Sequence, residues 1–197
     1  MKKAELTRLN ILQKAYELIY TKGYQATSID EIIATTKVTK GAFYYHFKNK
    51  DEMGIAVVNE VLRSASIGSD FRLSEIINLD PVETIYNMMY KLLMENKFMK
   101  VEYGCPISNL VQEMTPWHEN FRQALKKEAD EWEHRLITIL ENGKKHSFIR
   151  EDVNTKQATF FILSGYWGIR NFGKLQNDQS VYIYYLNELK IFLKNLR

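Results

Sequence analysis

The chain has 197 residues, of which 45% are hydrophobic and 26% are charged, so it is long enough for one or two domains with a substantial core. Three prolines, nine glycines and a single cysteine exclude collagen-like and disulfide-stapled classes, and they argue against disorder and all-β folds. No run of eighteen apolar residues and no signal-peptide core are present, so we expect a cytoplasmic protein with no membrane partner.

The net charge of +3 is unevenly distributed along the chain. Residues 1–50 contain nine basic and four acidic residues, whereas residues 51–197 contain eighteen basic and twenty acidic residues. A positive excess in one segment is typical of proteins that contact nucleic acid or another anionic surface there. The charge pattern therefore favours a basic head, although an imbalance of this size also arises without DNA binding.

Hydrophobic spacing and capping residues predict four helices in the first third of the chain. Ser28 with Glu31 forms a capping box before one short helix, and Thr39 caps the next one. Two short helices joined by a turn of three or four residues are typical of a helix-turn-helix motif. The predicted helices cover residues 4–22, 29–35, 40–46 and about 50–66.

The rest of the chain has the same helical character. Asp80 precedes Pro81 and Asn154 precedes another apolar repeat, and both patterns are typical of helix starts. Five further helices are predicted over residues 81–98, 107–114, 116–142, 155–171 and 180–196. The expected fold is all-α, with about nine helices, a small basic three-helix head and a larger helical body.

The stretch from Gly23 to Met53 contains, in order, a Gly-aromatic pair, a Thr-Ser helix entry, a Val-Thr-Lys-Gly helix start, a Tyr-Tyr-His-Phe run and an Asn-Lys-Asp-Glu cap. With these motifs it resembles the N-terminal DNA-binding domain of the TetR family of bacterial transcriptional repressors. The turn between its second and third helices usually carries glycine in that family, and Lys37 stands there in this chain. A positive φ at this position would cost a non-glycine residue about 1 kcal/mol. These motifs lie at residues 23–24, 27–28, 38–41, 44–47 and 49–52.

This resemblance implies a transcriptional regulator that binds a palindromic operator in double-stranded DNA as a homodimer, and that a ligand releases. Residues 1–50 would form the helix-turn-helix DNA-binding domain, and residues 51–197 the ligand-binding and dimerisation domain. The helix at about 50–66 would connect the two domains. The alternative is an activator, or an architectural DNA-binding protein without a small-molecule effector.

The resemblance places the third predicted helix in the major groove. There Lys40 can reach a phosphate or a guanine edge, and Gly41 allows the backbone to approach the duplex closely. His46 either donates to a phosphate or packs at the helix end. The expected DNA-contacting residues are Thr27, Ser28, Thr39, Lys40, Gly41, Tyr44, Tyr45, His46 and Lys50.

The last two predicted helices carry apolar and small residues that suit a dimer interface, as the resemblance implies. The last helix has an apolar stripe at intervals of three and four residues. The alternative is that one of these stripes packs wholly inside its own subunit. The expected interface residues are Phe161, Gly165, Gly168, Tyr182, Tyr185, Leu189 and Phe192.

A pocket for a small apolar or aromatic effector is also implied, although side chains at such spacing are more often core. Cys105 lies in a Gly-Cys-Pro segment similar to one in some family members, a few of which sense electrophiles or oxidants through cysteine. It is either such a sensor or a buried small residue. The expected ligand-binding residues are Tyr86, Met89, Tyr90, Phe98, Tyr103, Cys105, Met114, Trp117, Phe121 and Trp167.

An enzyme is the remaining alternative class. The four histidines show no metal-ligand spacing, and the sequence contains no glycine-rich phosphate loop and no nucleophile elbow. A cysteine-dependent enzyme is a remote possibility that rests on Cys105 alone. We therefore expect no catalytic residues, no metal and no cofactor.

Overall fold

The computed structural model describes residues 3–63, 73 and 79–197, and within these residues the protein contains α-helices and no β-strand. The predicted all-α class is confirmed. The described residues contain nine α-helices. They are α1 (Lys3–Lys22), α2 (Ile29–Thr36), α3 (Lys40–His46), α4 (Lys50–Ala56), α5 (Pro81–Tyr90), α6 (Pro106–Met114), α7 (Glu119–Lys145), α8 (Thr155–Gln176) and α9 (Val181–Lys194).

The two short helices of the predicted motif begin at side-chain caps. Ser28 Oγ accepts a hydrogen bond from the Glu31 amide at 3.2 Å, and Thr39 Oγ1 accepts one from the Ala42 amide at 3.1 Å. Lys37 lies in the turn between the helices with φ 57°, in the left-handed region. The turn therefore requires the positive φ expected from the resemblance, without the glycine that would adopt it freely.

Two of the predicted helices include π-helical segments in the structure. α4 continues as one such segment, Val57–Leu62, and residues 64–66 of the predicted helix lie outside the described residues. α5 continues as a second π-helical segment, Lys91–Glu95, and stops before residue 98. The stop has a local cause, because Asn96 Oδ1 accepts a hydrogen bond from the Phe98 amide at 2.9 Å and closes a turn.

The predicted start of α7 at residue 116 is wrong. The amides of Trp117 and His118 both donate to the carbonyl of Met114, so these residues continue the end of α6, and α7 begins at Glu119. The predicted end at residue 142 is also wrong, because α7 continues to Lys145. A Cβ at Gly143 would lie 2.6 Å from Pro81 Cγ, so this glycine allows α7 to pack closely against the start of α5.

α8 continues five residues beyond its predicted end, to Gln176. It ends at Asn177, which has φ 50° and whose amide donates to the carbonyls of Gly173 and Lys174. Asparagine tolerates the left-handed conformation that closes a helix in this way. The structural signal for the end of α8 was therefore this asparagine and not Asn171.

The chain divides into two compact units, one formed by residues up to 65 with 106–128 and the other by residues 66–105 with 129–197. This division does not coincide with the predicted domain boundary at residue 50, because α4, α6 and the first part of α7 belong with the head. The core of the first unit includes the fully buried side chains of Ile11, Leu12, Ile32, Phe43 and Met53.

The second unit is organised around α9, which packs against α8 and α5. Its core includes Ile85, Ile162, Tyr166, Tyr182 and Leu186, all buried. Within the part of the chain that the structure describes, every helix is too short or too polar to cross a lipid bilayer.

Candidate DNA-binding surface

One face of α3 holds the helix in the first unit. Phe43 is fully buried, and the ring of Phe47, just after the helix, lies 5.7 Å from it between centroids. The guanidinium of Arg8 on α1 lies over the Phe47 ring at 5.1 Å. These aromatic contacts fix the rotation of α3 about its axis, so its opposite face is held outward.

The outward face of α3 carries an amine, a glycine and two phenols. Tyr45 is 79% exposed, and Tyr44 and Lys40 are also exposed. Among the described residues outside α3, the one neighbour within 4 Å of a Cβ built on Gly41 is Thr39 Oγ1, at 4.0 Å. We call Lys40, Gly41, Tyr44 and Tyr45 the α3 outer face.

Lys40 has a weak partner within the chain. Its Nζ lies 3.3 Å from Asp30 Oδ1 at the start of α2, and both side chains are exposed to solvent. Exposed ion pairs of this kind contribute little to stability. The amine can therefore exchange this carboxylate for a phosphate at small cost.

The other predicted DNA contacts around α3 differ in accessibility. Ser28 and Thr39 are exposed, whereas His46 is half-buried with its ring 5.0 Å from that of Tyr45. Thr27 is only 1% exposed, and its hydroxyl donates to the carbonyl of Gly23 at 2.7 Å. Its predicted contact with a phosphate is therefore wrong, because the hydroxyl closes the turn before α2.

Lys50 is partly buried and already has contacts within the first unit. Its Nζ lies 4.3 Å from the centre of the Tyr24 ring and donates to the carbonyl of Gln25 at 3.3 Å. Partial burial lowers the pKa of Lys50, and the nearby carboxylates of Asp51 and Glu113 oppose that shift. Its predicted role toward a phosphate stays a prediction.

The structure also shows a polar junction that the sequence did not predict. The Glu113 carboxylate of α6 accepts hydrogen bonds from the amides of Tyr24 and Gln25. The Tyr24 hydroxyl donates to Asp51 Oδ1, and His118 Nε2 lies 3.3 Å from Asp51 Oδ2. The sequence signal was faint, since Glu113 follows the Gly-Cys-Pro segment by seven residues and nothing in that spacing indicates its partner.

The hydrogen bond with Tyr24 is the main reason why the pKa of Asp51 is lowered, and His118 and Lys50 lower it further. The pKa of Tyr24 is raised, first by burial and then by the Asp51 carboxylate. Both shifts favour a hydroxyl that donates to an ionised carboxylate. The junction is therefore a hydrogen-bonded, charged contact between the start of α4 and the turn before α2.

In the second unit, α8 and α9 display large apolar side chains to solvent. Large exposed apolar patches on soluble proteins mark interaction sites. We call these exposed side chains the α8–α9 apolar surface. Its members are Phe160, Phe161, Phe172, Leu175, Ile183, Tyr184 and Ile191.

Two of the predicted interface residues lie inside the unit instead. Tyr182 is 0% exposed and Leu189 is also buried, because that stripe of α9 faces its own α8 and α5. Their assignment to a dimer interface is therefore wrong, and the alternative of internal packing holds for them. Of the residues on the outer side, the predicted list included Phe161 and missed the rest.

The remaining predicted interface positions show both kinds of environment. A Cβ at Gly165 would lie 2.4 Å from Tyr185 Cε2, and the Tyr185 hydroxyl donates to the carbonyl of Ile162, so both serve the internal contact of α8 with α9. In the described part of the chain, no side-chain or backbone atom outside the helix's own turn lies within 4 Å of a Cβ built on Gly168. The half-buried Phe192 ring lies 4.4 Å from that of Phe161, at the edge of the apolar surface.

The ten predicted ligand-binding residues are divided between the two units. Three belong to the first unit, where Phe121 is fully buried against Tyr24 and His118, and its role in a pocket stays a prediction. Met114 is also fully buried, and the exposed indole of Trp117 donates to the Glu113 carbonyl. The seven others belong to the second unit, with Met89 and Cys105 buried, Tyr90 and Phe98 exposed, and Tyr86, Tyr103 and Trp167 half-buried.

Cys105 is 3% exposed, at the turn before α6. The preceding carbonyl, that of Gly104, accepts a hydrogen bond from Nη2 of the buried Arg170 at 2.7 Å. A thiol placed there is shielded from reagents in solution. Among the described residues, no group of three or more His, Cys, Asp or Glu side chains is arranged to hold a metal ion.

Comparison with known proteins agrees with this arrangement. Residues 11–57 match the family of bacterial regulatory proteins called the tetR family, and residues 81–188 match the tetracyclin repressor-like C-terminal domain. The chain is 35% identical over 123 residues to an uncharacterized HTH-type transcriptional regulator in the lacX 3' region of Lactococcus lactis subsp. lactis. That alignment covers 61% of each protein, so the chain spans about three fifths of that relative's length.

Two further relatives cover more of the chain. The HTH-type transcriptional repressor DhaR of Mycobacterium sp. strain GP1 is 23% identical over 161 residues, which is 82% of this chain and 79% of DhaR. The crystal structure of a TetR transcriptional regulator from Chloroflexus aurantiacus superposes with a TM-score of 0.83 at 22% identity, covering 98% of this chain and 96% of that one. At this identity the structural likeness establishes the fold.

Proposed function

This chain belongs to the TetR family of DNA-binding transcriptional regulators, and we propose that it is a repressor that a small ligand releases from a palindromic operator. The observation that carries the DNA contact is the α3 outer face. Its amine and phenols suit phosphates, sugars and base edges, and the open space around Gly41 suits close approach of a duplex. The buried Phe43 and Phe47 support this role because they hold that face outward.

We propose further that two copies associate through the α8–α9 apolar surface. A single head makes few phosphate contacts and binds DNA weakly, whereas two linked heads one helical turn apart bind two half-sites together. Phe161, Phe172 and Leu175 recur along one side of α8 at helical intervals, next to the open Gly168. A continuous apolar side with room at a glycine suits close packing against a second copy.

The proposed effector is a small apolar or aromatic molecule, consistent with the aromatic and methionine side chains of α5, α6 and α8. Repression is favoured by the relative DhaR, which is described as a transcriptional repressor. A ligand releases DNA only to the extent that it binds the DNA-incompetent state more tightly than the competent state. Such a protein would act in the cytoplasm, where its operator is.

Three measurements test this proposal. Selection of bound duplexes from random DNA should yield a palindrome, and light scattering should give the mass of two copies both alone and on that palindrome. A reporter driven by the promoter next to the gene should rise when the gene is deleted. A fall in the reporter on deletion would show an activator, and a persistent monomer in light scattering would contradict the dimer.

A further inference from the structure

The turn between α1 and α2 is held from outside by one carboxylate. Glu113 Oε2 accepts the Tyr24 amide at 2.9 Å, and Glu113 Oε1 accepts the Gln25 amide at 2.7 Å. Hydrogen bonds to an ionised acceptor are about twice as strong as neutral ones. Since two oxygens hold two successive amides, the contact fixes the orientation of the turn as well as its distance from α6.

The chain leaves space for this carboxylate at Gly23. That residue has φ +96°, and a Cβ built on it would lie 3.3 Å from both Glu113 oxygens. A side chain at this position would therefore have to displace the carboxylate. The glycine closes α1 and at the same time admits Glu113 to the amides that follow.

Hydrogen bonds within the turn connect it to α2, so a contact that fixes the orientation of the turn also fixes that of α2. The Thr27 hydroxyl donates to the Gly23 carbonyl at 2.7 Å, and the Thr27 amide donates to the Tyr24 carbonyl at 3.1 Å. Ser28, the next residue, caps α2 through the Glu31 amide. A short series of hydrogen bonds therefore connects the Glu113 carboxylate to the start of α2.

A second contact from the same part of the chain supports the first one. The Tyr24 ring packs edge-on against the Phe121 ring of α7, with 4.8 Å between centroids. His118 Nε2 lies 3.3 Å from Asp51 Oδ2 at the start of α4. The corner between α6 and α7 therefore holds both the turn before α2 and the helix after α3.

We propose that Glu113 is a positioning residue for DNA binding, whose carboxylate holds the turn at residues 23–27, and with it α2 and α3, in the orientation that contacts the duplex. This inference rests on the operator binding proposed above. Loss of the carboxylate leaves the helices folded, but it lets the head sample orientations that do not fit DNA. The observed affinity then falls in proportion to the fraction of competent heads.

The first measurement follows amide hydrogen exchange in the free protein by NMR. In wild type the amides of Tyr24 and Gln25 should be protected. E113A should accelerate both by about tenfold or more, with the amides of α3 unchanged. E113Q keeps one carbonyl oxygen as acceptor and should accelerate them less, and Q112A, an exposed neighbour on α6, should have no effect.

The second measurement uses the palindrome selected with wild-type protein, in fluorescence anisotropy titrations at several salt concentrations. E113A should bind about fivefold more weakly or worse, E113Q less so, and Q112A within about twofold of wild type. Removing a negative charge by itself would tighten binding to DNA, so weaker binding points to lost positioning. The slope of log K against log salt should stay the same, because no phosphate contact is removed.

Several results would overturn the inference. Unchanged exchange at Tyr24 and Gln25 would show that the hydrogen bonds do not form in solution. Faster exchange with unchanged or tighter operator binding would show that Glu113 stabilises the turn without affecting DNA binding. A reduced salt slope for E113A would show that a phosphate contact depends on Glu113. If E113A fails to fold, E113Q decides by the same criteria. Failure of wild type to select any DNA would instead overturn the proposed operator binding itself.

Discussion

The α3 outer face and the α8–α9 apolar surface are both exposed, but they offer opposite chemistry. The first presents one amine and two phenolic hydroxyls around an open glycine, on a helix anchored by two buried phenylalanines. The second presents aromatic and aliphatic side chains along two helices, also beside an open glycine. A polar face of this kind suits a hydrated, charged duplex. An apolar face is instead stabilised when contact with another apolar surface removes it from water.

The two units also contain internal contacts of different kinds, with aromatic rings packed on glycines in both units and a junction of charged carboxylates in the first. In the first unit, the junction of Glu113, Asp51 and Tyr24 consists of hydrogen bonds to charged carboxylates. In the second unit, aromatic rings pack directly on glycines, as Tyr185 does on Gly165. The polar junction should respond to pH, whereas the aromatic contacts should respond mainly to changes of shape.

The largest effect should come from charging the α8–α9 apolar surface. We expect the double variant Phe172→Glu/Leu175→Glu to be a folded monomer, because two carboxylates cannot be buried without partners in an apolar contact. Its affinity for the palindrome should fall by about a hundredfold or more, because linked binding of two heads is lost. Light scattering and anisotropy titration measure the two quantities.

The control for this variant is Phe148→Glu, a change at an exposed aromatic residue in the loop after α7. It should leave both the mass and the operator affinity close to wild type. A double variant that remains dimeric would remove the α8–α9 surface from the interface and break the contrast between the two faces.

A smaller loss of stability is expected from Gly54→Ala in the first unit. A Cβ there would lie 2.5 Å from Tyr24 Cε2 and 2.7 Å from Phe121 Cζ, and overpacking of this kind costs about 1–3 kcal/mol. Gly41→Ala is the matched control, because its Cβ would meet open space, and it should leave stability the same or slightly higher. Urea denaturation at pH 7 measures both variants.

Operator binding tests the role of Gly41 separately from stability, if this glycine allows close approach of the backbone to DNA. Gly41→Ala should then weaken operator binding without loss of stability. Equal stability losses for the two variants would show that the free space around Gly41 does not exist in solution.

The helices of the head were predictable because their signals are local. Ser28 and Thr39 cap through atoms only three residues away, and the predicted limits of α2 and α3 agree with the structure to within one residue. The limits of α7 were not predictable, because Gly143 looks like a helix stop in the sequence and is in fact a packing position against the distant Pro81. Side-chain caps can be recognised from residues nearby in the sequence. Whether a glycine ends a helix or allows close packing depends on tertiary contacts that the sequence does not show.

The same distinction applies to the functional surfaces. The outer residues of α3 were expected from the family resemblance, whereas the burial of Thr27 depends on the geometry of the turn before α2, which the sequence does not specify. On α9, an apolar stripe does not say whether its partner lies in the same subunit, so Tyr182 and Leu189 were misassigned. Glu113 was missed because its partners are about ninety residues away in the sequence. They are also backbone amides, which every residue except proline has, so no residue type indicates them.

Among the α3 residues, Lys40→Ala should have a moderate and specific effect. Loss of a contact with a phosphate or a base edge should cost about 1–2 kcal/mol of operator binding and reduce the salt slope by about one if the contact is with a phosphate. The weak exposed pair with Asp30 means that stability should hardly change. Lys14→Ala, which removes an exposed lysine of α1, is the control for loss of charge, and equal effects of both variants would remove Lys40 from the contact surface.

The smallest effect should be a pH dependence confined to the polar junction. The pKa of Asp51 is lowered in the folded state by Tyr24 first and then by His118, so its carboxylate stabilises the fold above its unfolded pKa of about 3.9. That contribution is lost as pH falls through the lower folded-state value. Asp51→Asn should therefore lower the urea midpoint at pH 7, and the difference from wild type should shrink as pH falls below about 5.

The effect of Asp51→Asn should be modest, because half of the Asp51 side chain is exposed to solvent, which weakens its interactions. The contrasting variant is Gly173→Ala in the second unit, where a Cβ would lie 2.4 Å from Tyr182 Cε1. Its loss of stability is steric, so the difference from wild type should be similar from pH 7 to pH 3. A difference in urea midpoint between Asp51→Asn and wild type that stayed equally constant over this range would contradict the prediction. It would show that packing, and not the charge of Asp51, stabilises the junction.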